Sequence, residues 1–308
     1  MEERSLTLSD GHPLFFRVWN TEGAKATLHI LHGMAEHSAR YDQFARYMNS
    51  LGFIVYAQDH RGHGCTKAED EKGWFAESDG WKLVCEDSWT LDKLISQEHP
   101  YLPHFLLGHS MGSFMARSVL AMHSNAFDAA IIMGSGASQG IVGKIGRMIA
   151  MHNASRSGGR MPDNMMNILA FGSYAKHFPG EGDFGWLTKD KNEVRKYEDD
   201  PLCGFTCSSA FFRDLLEGIE MANDRRLIQN IRKDIPILII SGEDDPVGGY
   251  GKGIRKIYKL YKNAGIEDVR LKLFPGDRHE LLNEIDKDAV MEEIGRFAED
   301  ILRRMDEE

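Results

Sequence analysis

Two serine-centred pentapeptides are the part of this sequence with the clearest chemical potential. Residues 108–112 read Gly-His-Ser-Met-Gly, and residues 136–140 read Gly-Ala-Ser-Gln-Gly. Glycines on both sides of a serine allow a sharp turn that leaves the hydroxyl exposed as a nucleophile. Because roughly 0.2 such pentapeptides arise by chance in a chain of this composition, the pattern alone selects neither serine.

A serine nucleophile needs a base to take its proton, and histidine is the usual one. Of the 13 histidines, only His279 lies beyond the apolar segment 235–240. It follows the predicted strand 269–274, at the strand end where the catalytic groups of parallel sheets gather. We therefore predict His279 as the base.

The base in turn needs a carboxylate that accepts its second N–H and orients it. Residues 243–245, which follow the predicted strand 235–240, supply three carboxylates. Asp245 is favoured because Pro246 biases its backbone towards an extended conformation that reaches inward, and Asp244 is the alternative.

Attack on a carbonyl also needs two N–H donors for the developing oxyanion. One is expected from Met111, directly after the nucleophile, and the other from Met34, in the loop after the predicted strand 26–31. We interpret His32 and the run 59–64 (Asp-His-Arg-Gly-His-Gly) as residues that tie loops together rather than as catalytic groups.

The elements that would position these groups alternate between strand and helix. Apolar segments of strand length alternate with amphipathic segments up to about residue 136 and again from residue 232. This rhythm predicts parallel strands joined by right-handed crossovers. The intervening residues are Met-rich, helical in pattern and broken by glycines. We therefore expect an α/β core of residues 1–136 and 232–308, with residues 137–231 inserted as a helical cap.

This layout distinguishes the two serines. Ser110 follows a buried segment at the expected centre of the sheet, and a clean helical segment comes after it. Ser138 comes one strand later, at the entrance to the inserted segment. Either serine would give the order Ser, Asp, His that is typical of sheet-based hydrolases. We predict Ser110 as the nucleophile and Ser138 as a residue of the hinge to the cap.

Composition limits the other classes of function. The formal net charge of −10 argues against nucleic acid and anionic membranes as main partners. The four cysteines lack a metal-ligand pattern, which favours reduced thiols and therefore a cytoplasmic location. We also expect no metal or organic cofactor. The first residues show no signal-peptide pattern, and no apolar run approaches the ~20 residues of a membrane span.

Five motifs together carry a family resemblance. They are residues 32–41, the Asp-x-Arg-Gly-x-Gly run at 59–64, the pentapeptide 108–112, and residues 242–246 and 279–284. The set resembles the α/β-hydrolase superfamily, and more closely its monoacylglycerol lipase and lysophospholipase group, which is grouped with the serine aminopeptidases. Cys65 departs from the serine that is usual there in the family, at a position that is not catalytic.

The resemblance implies an α/β-hydrolase fold, with a mostly parallel central sheet flanked by helices and a helical cap. It implies a serine esterase with nucleophile Ser110, acid Asp245, base His279 and an oxyanion hole formed by the Met34 and Met111 amides. Its substrates would be small acyl esters of the monoacylglycerol or lysophospholipid kind, cleaved without a cofactor.

The inserted segment is expected to decide the substrate. Its apolar stripe could line an acyl pocket, touch a lipid surface transiently or pack on the core; the stripe consists of Ile141, Val142, Ile145, Met148 and Ile149. The segment also carries acids that an aminopeptidase would need to bind a free amine, namely Glu193, Glu198, Asp199, Asp200, Glu217 and Glu220. An aminopeptidase and a non-catalytic ligand-binding α/β-hydrolase therefore remain as alternatives.

Overall fold

The computed structural model describes residues 1–67 and 71–307, and an eight-stranded sheet runs through it. The strands are β1 (Glu2–Thr7), β2 (Pro13–Trp19), β3 (Ala26–Leu31), β4 (Phe53–Gln58), β5 (His104–His109), β6 (Ala129–Met133), β7 (Ile237–Gly242) and β8 (Val269–Phe274). Their order across the sheet is β1-β2-β4-β3-β5-β6-β7-β8. The β1–β2 and β2–β4 pairs are antiparallel and all other neighbouring pairs are parallel. The mostly parallel sheet predicted from the sequence is thus present.

Two strand ends differ from the predicted ones for local reasons. The sequence predicts the first strand over residues 5–9. Strand β1 begins instead at Glu2, because its pairing with β2 continues from Thr7–Pro13 out to Glu2–Val18. Strand β7 begins at Ile237 rather than at residue 235, directly after Pro236, whose nitrogen cannot donate to a neighbouring strand.

Helices cover both faces of the sheet. They are α1 (Asp42–Ser50), α2 (Gly80–Glu98), α3 (Met111–His123), α4 (Gly140–Ser157), α5 (Asn164–Phe171), α6 (Lys191–Asp199), α7 (Ser209–Ala222), α8 (Arg225–Ile228), α9 (Lys252–Asn263) and α10 (Lys287–Glu307). Apolar residues of α1 and α10 form one buried cluster with the sheet, and those of α2, α3 and α9 form another. Because both faces are covered, β3, β4, β5, β6 and β7 are buried along their whole length.

Helices α4 to α8 lie between β6 and β7 in the chain, within the segment predicted as a cap. Of these, α7 packs against α2 and α3 as well as against α4. Its Phe211 and Phe212 belong to the same buried cluster as α2 and α3. Gly218 lies so close to Trp81 that a Cβ atom there would come within 2.1 Å of the indole ring. The inserted segment is therefore anchored to the sheet layers through α7, and its division from the core stays a prediction.

Among the helices of residues 1–67 and 71–307, none combines the length and the apolar character needed to cross a bilayer.

Candidate active site

Ser110 lies in the turn between β5 and α3, with φ 53° and ψ −118°. A non-glycine residue rarely adopts this backbone conformation, and such strain is typical of functional turns. The flanking glycines are required by close approach. A Cβ atom on Gly108 would lie 2.2 Å from the carbonyl oxygen of Gly112, and one on Gly112 would lie 2.0 Å from that of Leu31. The turn therefore presents the serine side chain at the carboxyl ends of the parallel strands.

The structure brings three predicted residues into one chain of hydrogen bonds. His279 Nε2 lies 2.8 Å from Ser110 Oγ, and His279 Nδ1 lies 3.0 Å from Asp245 Oδ2. Asp245 also accepts hydrogen bonds from the Val247 N–H at 2.8 Å and from the Ser241 hydroxyl at 3.2 Å. The imidazole can accept a proton from the serine while the carboxylate holds its other nitrogen.

The alternatives considered for these roles lie elsewhere. Asp244 is exposed, and Asp245 is completely buried. Ser138 is exposed before α4, where its Oγ accepts the Gly140 N–H at 3.1 Å. Neither side chain takes part in the hydrogen-bond chain around His279.

The loop of Met34 adjoins the serine. A Cβ atom on Gly33 would lie 3.2 Å from Ser110 Cβ. The Gly33 N–H is engaged by the Glu36 carboxylate at 2.5 Å, whereas the Met34 N–H has no acceptor among the described residues. Met111 opens α3, and the first N–H groups of a helix have no partner within it. Both predicted amide donors thus remain available beside Ser110.

Histidines in the loops after β3 and β4 form hydrogen bonds with backbone groups. His60 N–H donates to His32 Nε2 at 3.0 Å, and His60 Nε2 contacts the His32 carbonyl oxygen at 2.9 Å. Burial lowers the pKa of His32 to about 3 and that of His63 to about 4, and it holds the pKa of His60 well below its usual value. The neutral imidazoles of His32 and His60 thus tie the loop after β3 to the loop after β4, and His63 Nδ1 contacts the Arg61 carbonyl oxygen within the second loop at 2.9 Å.

A group of buried charges beside the serine was not singled out by the sequence reasoning. It comprises Glu36, Arg40, His109 and Glu280. Burial opposes the charge on Glu36, but Arg40 and His109 outweigh it and hold the pKa of that carboxyl well below its usual range. Burial likewise opposes the charge on His109, and the hydrogen bond to Glu36 raises the pKa of the imidazole instead. Three members of this group, Glu36, Arg40 and Glu280, lie in the motifs at 32–41 and 279–284, and these charged residues were the signal that the sequence offered.

A cavity of about 750 Å³ opens above Ser110. Apolar side chains dominate its wall, including Ile149, Met166, Phe212 and Leu215. Its carboxylates are Glu36, Asp183 and Glu280, and no lysine or arginine contributes to the wall in the part of the chain that the structure describes. The space suits a ligand with an extended apolar part.

The stripe predicted on α4 divides between two environments. Val142, Ile145 and Ile149 border the cavity. Ile141 and Met148 do not, and they are 76% and 62% exposed. Ile149 also packs against the buried cluster of α2, α3 and α7, so packing against the core accounts for part of the stripe and leaves Ile141 and Met148 unexplained.

The six acids considered for binding an amine all lie outside the cavity wall. Glu217 pairs with Arg147 at 2.6 Å, Glu193 pairs with Lys196 at 2.8 Å, and Asp200 accepts from His37 Nε2 at 2.8 Å.

Within residues 1–67 and 71–307, two groups of side chains have the spacing of metal ligands, namely His37, Asp200 and Cys203, and Asp277, Glu284 and Asp286. In the second group the Lys189 ammonium lies 2.5 Å from Asp277 Oδ1 and already supplies a positive charge. The chemistry at Ser110 draws on neither group.

Comparison with known proteins identifies relatives along nearly the whole chain. A family model described as "Serine aminopeptidase, S33" matches residues 22–286. A monoglyceride lipase of Mus musculus is 27% identical over 308 aligned residues, which cover 95% of this chain and 88% of the relative. A monoacylglycerol lipase of Mycolicibacterium smegmatis is 26% identical, and the alignment covers 95% of each chain.

Solved structures give the same picture of the fold. A highly thermostable carboxyl esterase from Bacillus coagulans, in complex with glycerol, superposes with a TM-score of 0.90. It is 28% identical, and the match covers 98% of each chain. The predicted α/β-hydrolase fold is confirmed.

Proposed function

The chain belongs to the serine aminopeptidase S33 family, and we propose that this carboxylic ester hydrolase cleaves acyl esters through Ser110, His279 and Asp245. The observation that carries the proposal is the pair of hydrogen bonds, 3.0 and 2.8 Å long, that link Asp245 through His279 to the serine hydroxyl.

The reaction proceeds by acyl transfer to the serine. His279 Nε2 takes the proton of Ser110 Oγ as the oxygen attacks the ester carbonyl, and Asp245 stabilises the imidazolium. The Met34 and Met111 amides bind the oxyanion. His279 then gives its proton to the departing alcohol, which leaves an acyl-enzyme. A water molecule, deprotonated by the same imidazole, attacks the acyl carbonyl. The bond between the acyl carbon and Ser110 Oγ breaks, His279 returns the proton to the serine oxygen, and the acid leaves.

Monoacylglycerol-like esters are the proposed substrates. The apolar wall suits the acyl chain, and the relatives named above are lipases of monoacylglycerols. Arg40 pairs with both Glu36 and Glu280, and His109 also contacts Glu36, so these two carboxylates are compensated by neighbours. Asp183 has no ion pair among the described residues and therefore dominates the local charge of the wall. A phosphate head group would face this carboxylate, and no lysine or arginine lines the described part of the wall, so we propose lysophospholipids as the second candidate.

The aminopeptidase alternative rests on Asp183, because the six cap acids lie outside the cavity wall. A side-by-side panel of monoacylglycerols, lysophospholipids, p-nitrophenyl esters and aminoacyl-anilides separates these candidates. We expect the monoacylglycerol to be cleaved fastest. Preference for an aminoacyl-anilide would instead support the peptidase.

Residues 137–231 are proposed to act as a cap that touches a lipid surface transiently. Large apolar side chains are exposed on α4, on α5 and just before it, namely Ile141, Val142, Met148, Met161, Ile168 and Leu169. Val142, Ile168 and Leu169 also border the cavity, so the exposed apolar surface continues into the cavity wall. The free thiols support the proposed cytoplasmic location.

The serine is tested with a matched pair of variants. S110A should lose ester turnover and labelling by a fluorophosphonate probe, and S138A should keep both. Normal turnover by S110A would overturn the proposed mechanism. A wild-type protein that binds esters, is not labelled and does not turn them over would support the non-catalytic alternative.

A further inference from the structure

Glu36 is the centre of the buried charges beside the serine, and the proposed reaction does not use it. Its Oε1 accepts from the Gly33 N–H at 2.5 Å, and its Oε2 accepts from Arg40 at 2.8 Å. His109 Nδ1 and the Tyr41 hydroxyl also reach Oε1, at 3.2 and 3.1 Å. Both carboxylate oxygens of Glu36 are thus engaged by protein donors, three of them at Oε1 and one at Oε2.

Two of these partners, Gly33 and His109, are sequence neighbours of groups that take part in the proposed reaction. Gly33 precedes Met34, the proposed oxyanion donor. His109 precedes Ser110, and its Nε2 lies 3.3 Å from the carbonyl oxygen of His279. The two imidazole rings are 4.9 Å apart.

Arg40 extends the connection to the loop of the base. Its Nη1 and Nη2 each lie 2.7 Å from an oxygen of Glu280, the residue after His279. The guanidinium also lies over the ring of Tyr197 in α6, 4.8 Å from its centroid. A two-point contact of this kind fixes both the distance and the orientation of its partner.

We propose that Glu36 is a positioning residue for ester hydrolysis: it holds the oxyanion loop, the nucleophile turn and, through Arg40, the base loop at their working distances. The inference rests on the proposed function of Ser110 and His279. Glu36 acts through other residues, because its own oxygens are already taken by donors.

Charge is essential to this role. Two carboxylates, Glu36 and Glu280, face the Arg40 guanidinium and the His109 imidazole in a buried setting, and the charges balance when His109 is protonated. Glutamine at position 36 has the same size but no charge. Its amide NH₂ would face the donors of Arg40 or His109, so at least one contact must open.

The first experiment compares E36Q with the wild type on a soluble ester. A displaced oxyanion donor weakens transition-state binding more than substrate binding. We expect kcat to fall about 10- to 100-fold while KM changes less than about 3-fold. The affinity for an alkyl boronic acid, whose tetrahedral adduct on the serine mimics the transition state, should fall by the same factor.

The matched control is D87N. Asp87 is another buried carboxylate, and it accepts from Arg61 Nε at 2.7 Å and from Nη2 at 3.1 Å. D87N should lower Tm yet leave kcat and boronate affinity within about 3-fold of wild type at temperatures where it is folded. A second variant, R40K, keeps the charge but loses the two-point contact, and we expect a smaller loss in kcat and boronate affinity.

Three results would overturn the inference: E36Q keeps its boronate affinity, D87N reproduces the loss of kcat, or cooling restores kcat in E36Q. Should E36Q fail to fold, unchanged kcat in folded R40K overturns it as well. The proposed function fails separately, if S110A remains active; an inactive S110A with a fully active E36Q contradicts only the positioning role.

Discussion

Asp245 Oδ2 lies 3.0 Å from Nδ1 of His279, and the carboxylate is completely buried. This contact predicts the effect of D245N. An asparagine amide can donate to the ring nitrogen and so favours the tautomer with its proton on Nε2, which cannot accept from Ser110. We expect kcat for ester hydrolysis to fall about 10³- to 10⁴-fold with little change in Tm.

The neighbouring variant D244N serves as the control, because Asp244 is exposed and removed from the imidazole. It should retain kcat within about 2-fold. Equal losses in the two variants would show that the acid of the mechanism has been assigned to the wrong residue.

The buried histidines predict instability in acid. His32, His60 and His63 have folded-state pKa values below 6.5, because burial disfavours their protonated forms. Their contribution to stability is complete above about pH 6.5 and is lost as the pH falls, because only the unfolded chain takes up these protons. The free energy of unfolding should drop by up to about 4 kcal/mol per pH unit between about pH 6 and pH 4.

Urea unfolding at a series of pH values measures this slope. H63F replaces one imidazole among Phe75, Phe205 and Phe211, and it should reduce the slope by about one proton. H152Q, at an exposed position on α4, should leave the slope unchanged. A pH-independent stability in the wild type would contradict the assignment of neutral imidazoles.

The exposed apolar residues of α4 predict how the protein meets its substrate. The double variant I141E/M148E places charge on two exposed side chains that do not border the cavity. It should bind phosphatidylcholine vesicles at least about 5-fold more weakly and cleave emulsified monoacylglycerol more slowly. Cleavage of dissolved p-nitrophenyl acetate should stay unchanged, because the cavity is intact.

Y101E introduces a carboxylate at another exposed apolar residue, 95% exposed, between α2 and β5. It should behave as wild type in both assays. Equal vesicle binding by I141E/M148E and wild type would remove the lipid-surface role of the cap.

Asp183 is predicted to select against anionic head groups. D183K reverses the dominant charge of the cavity wall, so the kcat/KM for a lysophosphatidate should rise about 3- to 10-fold at low salt while that for a neutral monoacylglycerol stays the same. E22K makes the same charge change in the loop between β2 and β3 and should alter neither value. A D183K enzyme with unchanged selectivity would place head-group recognition elsewhere.

Local sequence was sufficient to predict the elements that carry the reacting groups. Strands β3 and β8 span the predicted residues, because each is a continuous segment with a clear strand pattern and turn signals at its ends. The same strand assignments predicted that Ser110, Asp245 and His279 each follow a strand, in that order along the chain.

Contacts between distant parts of the chain could not be predicted in this way. The partners Arg40 and Glu280 are 240 residues apart, and neither has a local pattern that identifies the other. The spacing of the apolar residues in the stripe indicates that they share one face of α4. The same spacing is expected whether that face lines a buried wall or is exposed to solvent. Only the packing of α4 along α7 decides which residues of the stripe face the cavity and which face solvent.

The anchoring of α7 has a consequence for exchanging parts between relatives. Gly218 lies against Trp81 of α2, so a donor segment carrying a larger residue there would displace the indole ring and loosen the layer beneath Ser110. A chimera that exchanges residues 137–231 as a block therefore exchanges α7, which packs on the core, together with the residues that line the cavity. A graft that leaves the contact between α7 and α2 intact would exchange only α4 and α5, and it would keep the α4 side chains that face α7.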